Sequence, residues 1–384
     1  MRILMIGWEF PPAKTGGLGT HCYELVNNLG AKCVNVILLI PKRTQNIKHN
    51  IKNVEIIEIG SVPILPYNTT KESTVTFEKG YGWNFFKEVE IFNKKCVETA
   101  LRRKNDFDII HCHDWISVNA GIEIKKRTGK PLVFTIHSTE YDRTANIYPL
   151  DSIIEIEKRG IQEADVIITV SKSMKKQLIE RYGADERKIR VIYNGINVSR
   201  YFGFNNKDRK NIVLFLGRLT NQKGPWFFLH TAKKVLERKK DVIFVIAGHG
   251  DKLAELIKLS IDLGIGDHIL FTGYLTEEEI NYAYAMAKVY VMPSVAEPYG
   301  ITALEAIASG TPVIVSKNAG VAEEIKHCFK VDFWDTHEMA SKIIGILNYP
   351  VLEECMRRNS YNEVKNLSWE RTANQTIEVY RSLI

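Results

Sequence analysis

The chain has 384 residues, 45% of them hydrophobic and 25% charged, with a formal net charge of +7. That length exceeds one ordinary core and predicts two domains of about 150–200 residues each, and the composition excludes a disordered chain. No apolar run approaches the ~20 residues of a transmembrane segment, and the modest positive charge suits anionic ligands without forming the basic stripe of a nucleic-acid binder.

The N-terminal stretch MRILMIGWEF reads as a first strand, because Glu9 and Pro11-Pro12 stand where a secretory signal would continue. The densest basic run, Lys42 to Lys52, lacks interleaved aromatics and reads as a solvated face. The six cysteines are scattered, with no CxxC pair, which points to a reduced, cytoplasmic setting.

Taken in order, short apolar strands are expected at Ile3–Gly7, Val36–Ile40, Val54–Ile59, Ile109–His113, Leu132–His137, Val166–Val170 and Ile189–Tyr193. Several are apolar on both sides, as strands of a parallel sheet covered on both faces must be. Residues 60–82, with Pro63, Pro66 and Gly80-Tyr81-Gly82, read as a long loop. Asn194-Gly195 closes this half, and Val198 to Arg209 reads as a linker.

Strand–helix alternation then restarts with Ile212–Leu216, Val242–Ala247, His268–Thr272, Val289–Met292 and Val313–Ser316. Helices are expected around Pro225–Arg238, Lys252–Leu263 and Thr276–Ala287, and residues 368–384 form an amphipathic C-terminal helix. The predicted fold class is α/β, two doubly wound Rossmann-like domains over residues 1–195 and 196–367. Ligands of such sheets bind at the carboxyl ends of the strands, so the cleft between the domains is the expected site.

Four stretches could carry chemistry there. Lys14-Thr15-Gly16-Gly17-Leu18-Gly19 follows the first strand and leads into a helix, so backbone N–H groups could approach an anion. It matches neither the P-loop nor the dinucleotide pattern. His111-Cys112-His113-Asp114-Trp115 ends one strand and His137 ends another; no further ligand cluster accompanies them, so no metal is expected. Gly217 to Gly224 carries Arg218 and Lys223 on one strand-to-helix loop, and two cations there suit a diphosphate. Glu297-Pro298-Tyr299-Gly300-Ile301-Thr302 opens a short helix that carries Glu305, and the helix N-terminus attracts anions.

Together, KTGGLG, HCHDW, GRLTNQKG, Pro293-Ser294 and EPYGITALE resemble the glycogen and starch synthase family and related retaining glycosyltransferases of the GT-B fold. The resemblance spans nearly the whole chain and implies two facing domains with residues 368–384 crossing back onto the first. It implies a nucleotide-sugar donor, a glucan or other carbohydrate acceptor and no cofactor. Arg218 and Lys223 would bind the diphosphate, Glu297 the transferred sugar and Glu305 the ribose. His113 would face the anomeric centre. Lys14, Gly16, Gly17, His137, Tyr274, Tyr299 and the backbone from Gly300 through Ile301 to Thr302 would line the donor. The expected activity is transfer of glucose from ADP- or UDP-glucose to an α-1,4-glucan end.

The chain has Thr20-His21 after GGLG where those synthases carry a pair such as Asp-Val, and Ser138 where they often carry Asn. The alternative is therefore a small sugar, sugar phosphate or lipid acceptor. An epimerase of similar fold is a competing reading that the GRLTNQKG loop argues against. A non-catalytic sugar-binding protein would lack one of the charged site residues, and all are present.

Overall fold

A computed structural model describes residues 1–12, 16–42, 50–61, 83–201 and 209–384. Lys14, most of the basic run Lys42 to Lys52 and nearly all of the 60–82 loop lie outside the described residues.

Seven parallel strands form the first sheet: β1 (Arg2–Ile6), β2 (Asn35–Lys42), β3 (Val54–Ser61), β4 (Ile109–His113), β5 (Leu132–Ile136), β6 (Val166–Thr169) and β7 (Ile189–Val191). Their order is β3-β2-β1-β4-β5-β6-β7, so the winding reverses between β1 and β4. The helices between them are α1 (Gly17–Ala31), α2 (Trp83–Arg102), α3 (Asp114–Thr128), α4 (Glu140–Arg143), α5 (Asp151–Glu163) and α6 (Lys172–Tyr182).

The second sheet has six parallel strands: β8 (Lys210–Leu216), β9 (Ile243–Ala247), β10 (Ile269–Gly273), β11 (Ala287–Met292), β12 (Val313–Ser316) and β13 (Phe329–Val331). Their order is β10-β9-β8-β11-β12-β13. The remaining helices are α7 (Pro225–Leu236), α8 (Leu253–Asp262), α9 (Glu277–Met286), α10 (Ile301–Ala308), α11 (Thr336–Asn348), α12 (Pro350–Val364) and α13 (Trp369–Arg381). The strand β13 was not anticipated.

Strand periodicity decides which helix covers which face. In the first sheet Ile3, Met5, Val36, Leu38, Ile109 and Val133 share one core with α1 and with Ala373, Ile377 and Tyr380 of α13. The alternate residues Leu4, Ile6, Ile37, Leu39, Ile110 and Phe134 face α2, α3 and α5. The second sheet divides likewise: Val213, Phe215, Phe244 and Val289 face α7 and α11, and Leu214, Val245 and Tyr290 face α9 and α10.

The chain thus leaves the first sheet after β7 and returns to it as α13. The two passages touch: Ile196 N donates to the Leu367 carbonyl at 2.7 Å. A Cβ at Gly195 would lie 2.3 Å from Trp369 N, so only glycine permits this approach. Four polar contacts join the domains beside this crossing. Glu323 accepts from the N–H groups of Lys172 and Ser173, both at 2.8 Å, at the start of α6. Tyr193 Oη donates to the same carboxylate at 2.8 Å, and Arg371 pairs with Glu324 at 2.7 Å.

Candidate functional site

The carboxyl ends of β8 and β11 supply the second-domain wall. After β8, Lys223 ends a single 3-10 turn, and its Nζ lies 2.5 Å from Glu297 Oε2. Ser294 donates to the same oxygen at 3.1 Å, so the buried carboxylate is held from two sides. Arg218 Nη2 donates to Gln222 Oε1 at 3.3 Å, and the Gln222 carbonyl accepts from Val295 N at 2.9 Å. The cation loop and the Glu297 loop are therefore fastened to each other.

Gly300 precedes α10 with φ +106°, a left-handed conformation natural to glycine. It turns the chain so that the first N–H groups of α10 end the loop begun by Glu297. Tyr284 of α9 donates to Glu305 Oε2 of α10 at 3.0 Å, and Thr302 Oγ1 of α10 lies 2.9 Å from Tyr290 Oη of β11. Gly17, the first residue of α1, comes from the other domain. A Cβ there would sit 3.6 Å from Ile301 Cδ1, so the two loops meet across the cleft. Gly16 is exposed just before α1.

Two anticipated residues stand apart. Tyr274 is 61% exposed beyond β10, two strands out from β8. Tyr299 is buried, with its hydroxyl 2.8 Å from both the Asn194 carbonyl and Glu324 Oε2. Its side chain ties the domains together at their crossing, and its carbonyl accepts from Val321 N at 2.7 Å.

The first-domain wall is built on histidines. Alternation along β4 puts His111 and His113 on the face covered by α1 and α13, and Thr135 and His137 share that face from β5 onward. His111 is satisfied on both nitrogens, by Tyr380 Oη at 2.6 Å and Thr135 Oγ1 at 2.7 Å, and is structural. His113 Nδ1 lies 3.0 Å from His137 Nε2, with the rings stacked at 12°. His21 of α1 packs against His137 with ring centroids 4.4 Å apart, and its Nδ1 bonds Asn194 Oδ1 at 2.7 Å. Sequence reading missed His21. Its position four residues after Gly17 puts it one helical turn beneath the loop, but nothing in the local pattern distinguishes it from a core residue.

Burial holds these rings neutral. It lowers His21 to about 4 and His111 to about 3, and takes His113 and His137 well below the ordinary imidazole range. The unfolded chain binds protons below about pH 6.5, where the folded chain does not, so stability falls as pH drops from about 6.5 towards 4. Each histidine contributes a slope of up to about 1.4 kcal/mol per pH unit. Asp114 opposes them: burial raises its carboxyl to about 7, so its contribution grows as pH falls through that value. Burial raises the Glu140 and Asp142 carboxyls as well, and four rings outweigh these three carboxyls. In chelator-containing buffer the urea midpoint is expected to fall between pH 6 and pH 4, and a flat or rising midpoint would contradict neutral burial.

A cavity of about 250 Å³ opens beside Glu297, between the start of α6 (Ser171, Ser173, Gln177) and Ala296, Pro298 and Asn318. Tyr141 and Asp142 of α4 close its side. Arg143 fixes that short helix through Glu157 Oε1 at 2.5 Å, Glu140 Oε2 at 3.2 Å and the Ser138 carbonyl at 2.6 Å. Both acids are buried. Arg143→Ala strands them and is expected to lower unfolding free energy by about 3–5 kcal/mol in urea titration. A loss below 1 kcal/mol would show that the cluster does not hold the wall.

The description "Glycosyl transferases group 1" matches residues 200–363, and "Glycosyltransferase Family 4" matches residues 15–200. An uncharacterised glycosyltransferase of Methanocaldococcus jannaschii is 32% identical, over 99% of this chain and 98% of its own. The chain belongs to the glycosyltransferases. Its glycogen synthase relative from Mycobacterium tuberculosis is 27% identical over 99% of this chain and 94% of that protein. The sucrose-phosphate synthase structure from Thermosynechococcus elongatus superposes with a TM-score of 0.80 at 22% identity, covering 100% and 98% of the two chains. The glycosyltransferase therefore has the GT-B architecture of two facing Rossmann-like domains. No helix among its described residues is long and apolar enough to cross a membrane.

Proposed function

We propose that this glycosyltransferase moves glucose from ADP- or UDP-glucose to the end of an α-1,4-glucan, with retention and without a metal at the diphosphate. The observation that carries the reading is the Lys223–Glu297 pair, a cation and a buried acid held 2.5 Å apart at the cleft. Lys223 and Arg218 take the diphosphate and stabilise the charge that grows on the departing nucleotide. Such electrostatic contacts are commonly worth about 3–4 kcal/mol each in the transition state.

Glu297 holds hydroxyls of the transferred sugar, Glu305 the ribose, and the N–H groups after Gly300 a phosphate or sugar oxygen. The C1–O bond to the diphosphate breaks ahead of attack. The acceptor hydroxyl enters on the same face and gives its proton to the leaving phosphate oxygen. His113, neutral and buried, sets the other wall of the reacting centre. The cavity beside Glu297 is the space for the acceptor end, and the glycogen synthase relative favours glucan as its occupant.

The test is the anomeric configuration of the product from maltooligosaccharide acceptor, followed by proton NMR. A new α-linked glucosyl unit is expected. A β-linked product overturns retention, and product formed only with a small sugar or sugar phosphate moves the acceptor assignment to that class.

A further inference from the structure

We infer that His21, His113 and His137 form a binding site for a zinc-class transition-metal ion on the first-domain wall. One ligand nitrogen from each ring lies within 4.8 Å of the others. Nitrogens around a tetrahedral ion bound at about 2.0–2.1 Å stand roughly 3.4 Å apart. The His113–His137 pair, at 3.0 Å, is already close to that spacing.

A second observation points independently to a ligand. His21 Nε2 is buried and has no hydrogen-bond partner among the described residues. Buried polar nitrogens are ordinarily satisfied, so this one calls for an occupant. At His21 the tautomer follows from its partner. Asn194 Oδ1 can only accept, so Nδ1 carries the proton and Nε2 presents a bare lone pair. A ring that donates its far N–H to a fixed oxygen while its near nitrogen stays free is the arrangement that orients metal-bound histidine.

The donor set chooses the ion. Three imidazoles and no carboxylate suit zinc, cobalt, nickel or copper, and disfavour magnesium and calcium. Asp114 Oδ1 is committed to the His137 and Ser138 N–H groups, at 2.7 and 3.4 Å, and is not a fourth ligand. Part-exposed His137 gives the cluster its opening to solvent, and the fourth position falls to water. The consequence for activity rests on the transfer reading above: an ion that fixes His113 slows turnover, and a chelator restores it.

The test uses the full chain with the two exposed thiols removed, Cys33→Ser and Cys355→Ser, because free thiols bind the same ions. Chelator-treated protein is titrated with Co²⁺ and followed by visible absorption. One equivalent with the intense bands of a tetrahedral site is expected, displaced by Zn²⁺ and untouched by Mg²⁺. His21→Ala should lower Co²⁺ affinity at least 100-fold. Asn194→Ala, which keeps all three ligands and loses only the orienting bond, should lower it about 10–100-fold. Absence of the bands, or affinity unchanged in a folded variant of either kind, overturns the site. Binding is read without turnover. A protein that transfers sugar but binds no cobalt thus removes only this inference, and one that binds cobalt but turns over no donor removes only the transfer reading.

Discussion

Lys223→Ala is expected to lower donor turnover by about 10²–10³-fold while the protein stays folded. Lys223 Nζ lies 2.5 Å from Glu297 Oε2, and the 3-10 turn that presents it is fastened to the Glu297 loop through Gln222 and Val295. Charge on the leaving diphosphate grows as the C1–O bond breaks, so the interaction is stronger in the transition state than in the bound donor. The loss should therefore fall mainly on kcat, with a smaller change in KM. Ser294 still holds the Glu297 carboxylate in the variant, which keeps the loop in place. Steady-state kinetics with circular dichroism as a fold check decide the matter. Near-normal turnover in a folded variant removes the diphosphate role.

Tyr380→Ala is the substitution with the largest expected effect on stability. Tyr380 is fully buried between α1 and the first sheet, and its hydroxyl is 2.6 Å from His111 Nδ1. Truncating a buried aromatic costs about 3–5 kcal/mol, and the unpaired imidazole nitrogen adds about 1–3 kcal/mol. The two together rival the whole stability of an ordinary domain. Tyr380→Phe keeps the ring and isolates the bond, and should show only the smaller loss. Urea titration of both variants checks this. A Tyr380→Ala shift below 1 kcal/mol would mean that α13 is an attachment to the first domain and not part of its core.

Much of the architecture was legible because parallel strands covered on both faces write themselves as short apolar runs. β4 and β12 match their expected ranges, and most others agree to within two residues at each end. The three-residue β13 was missed because Phe329-Lys330-Val331 is too short to show a period and has Asp332 directly after it. The start of β11 was read as helix because Ala287 continues the apolar pattern of α9 without a break.

At the site, strand-end loops carried local signals: glycines where the chain must turn, cations after β8, and acids flanking a helix start. Groups that act through tertiary contact carried none. His21 and Asn194 are 173 residues apart, and Tyr380 meets His111 across 269 residues. Arg143 and Glu157 are near in sequence but look like surface charges until α4 and α5 fold over them. Tyr299 sits inside the most informative motif of the chain, yet its side chain is spent on the domain crossing.

The central claim is that the cleft cleaves a nucleotide sugar and passes on the sugar. Release of free nucleotide from a panel of ADP-, UDP- and GDP-sugars, with and without maltooligosaccharide, tests it most directly. The account predicts release from ADP- or UDP-glucose that rises when maltooligosaccharide is present. No release from any donor with any acceptor would contradict it.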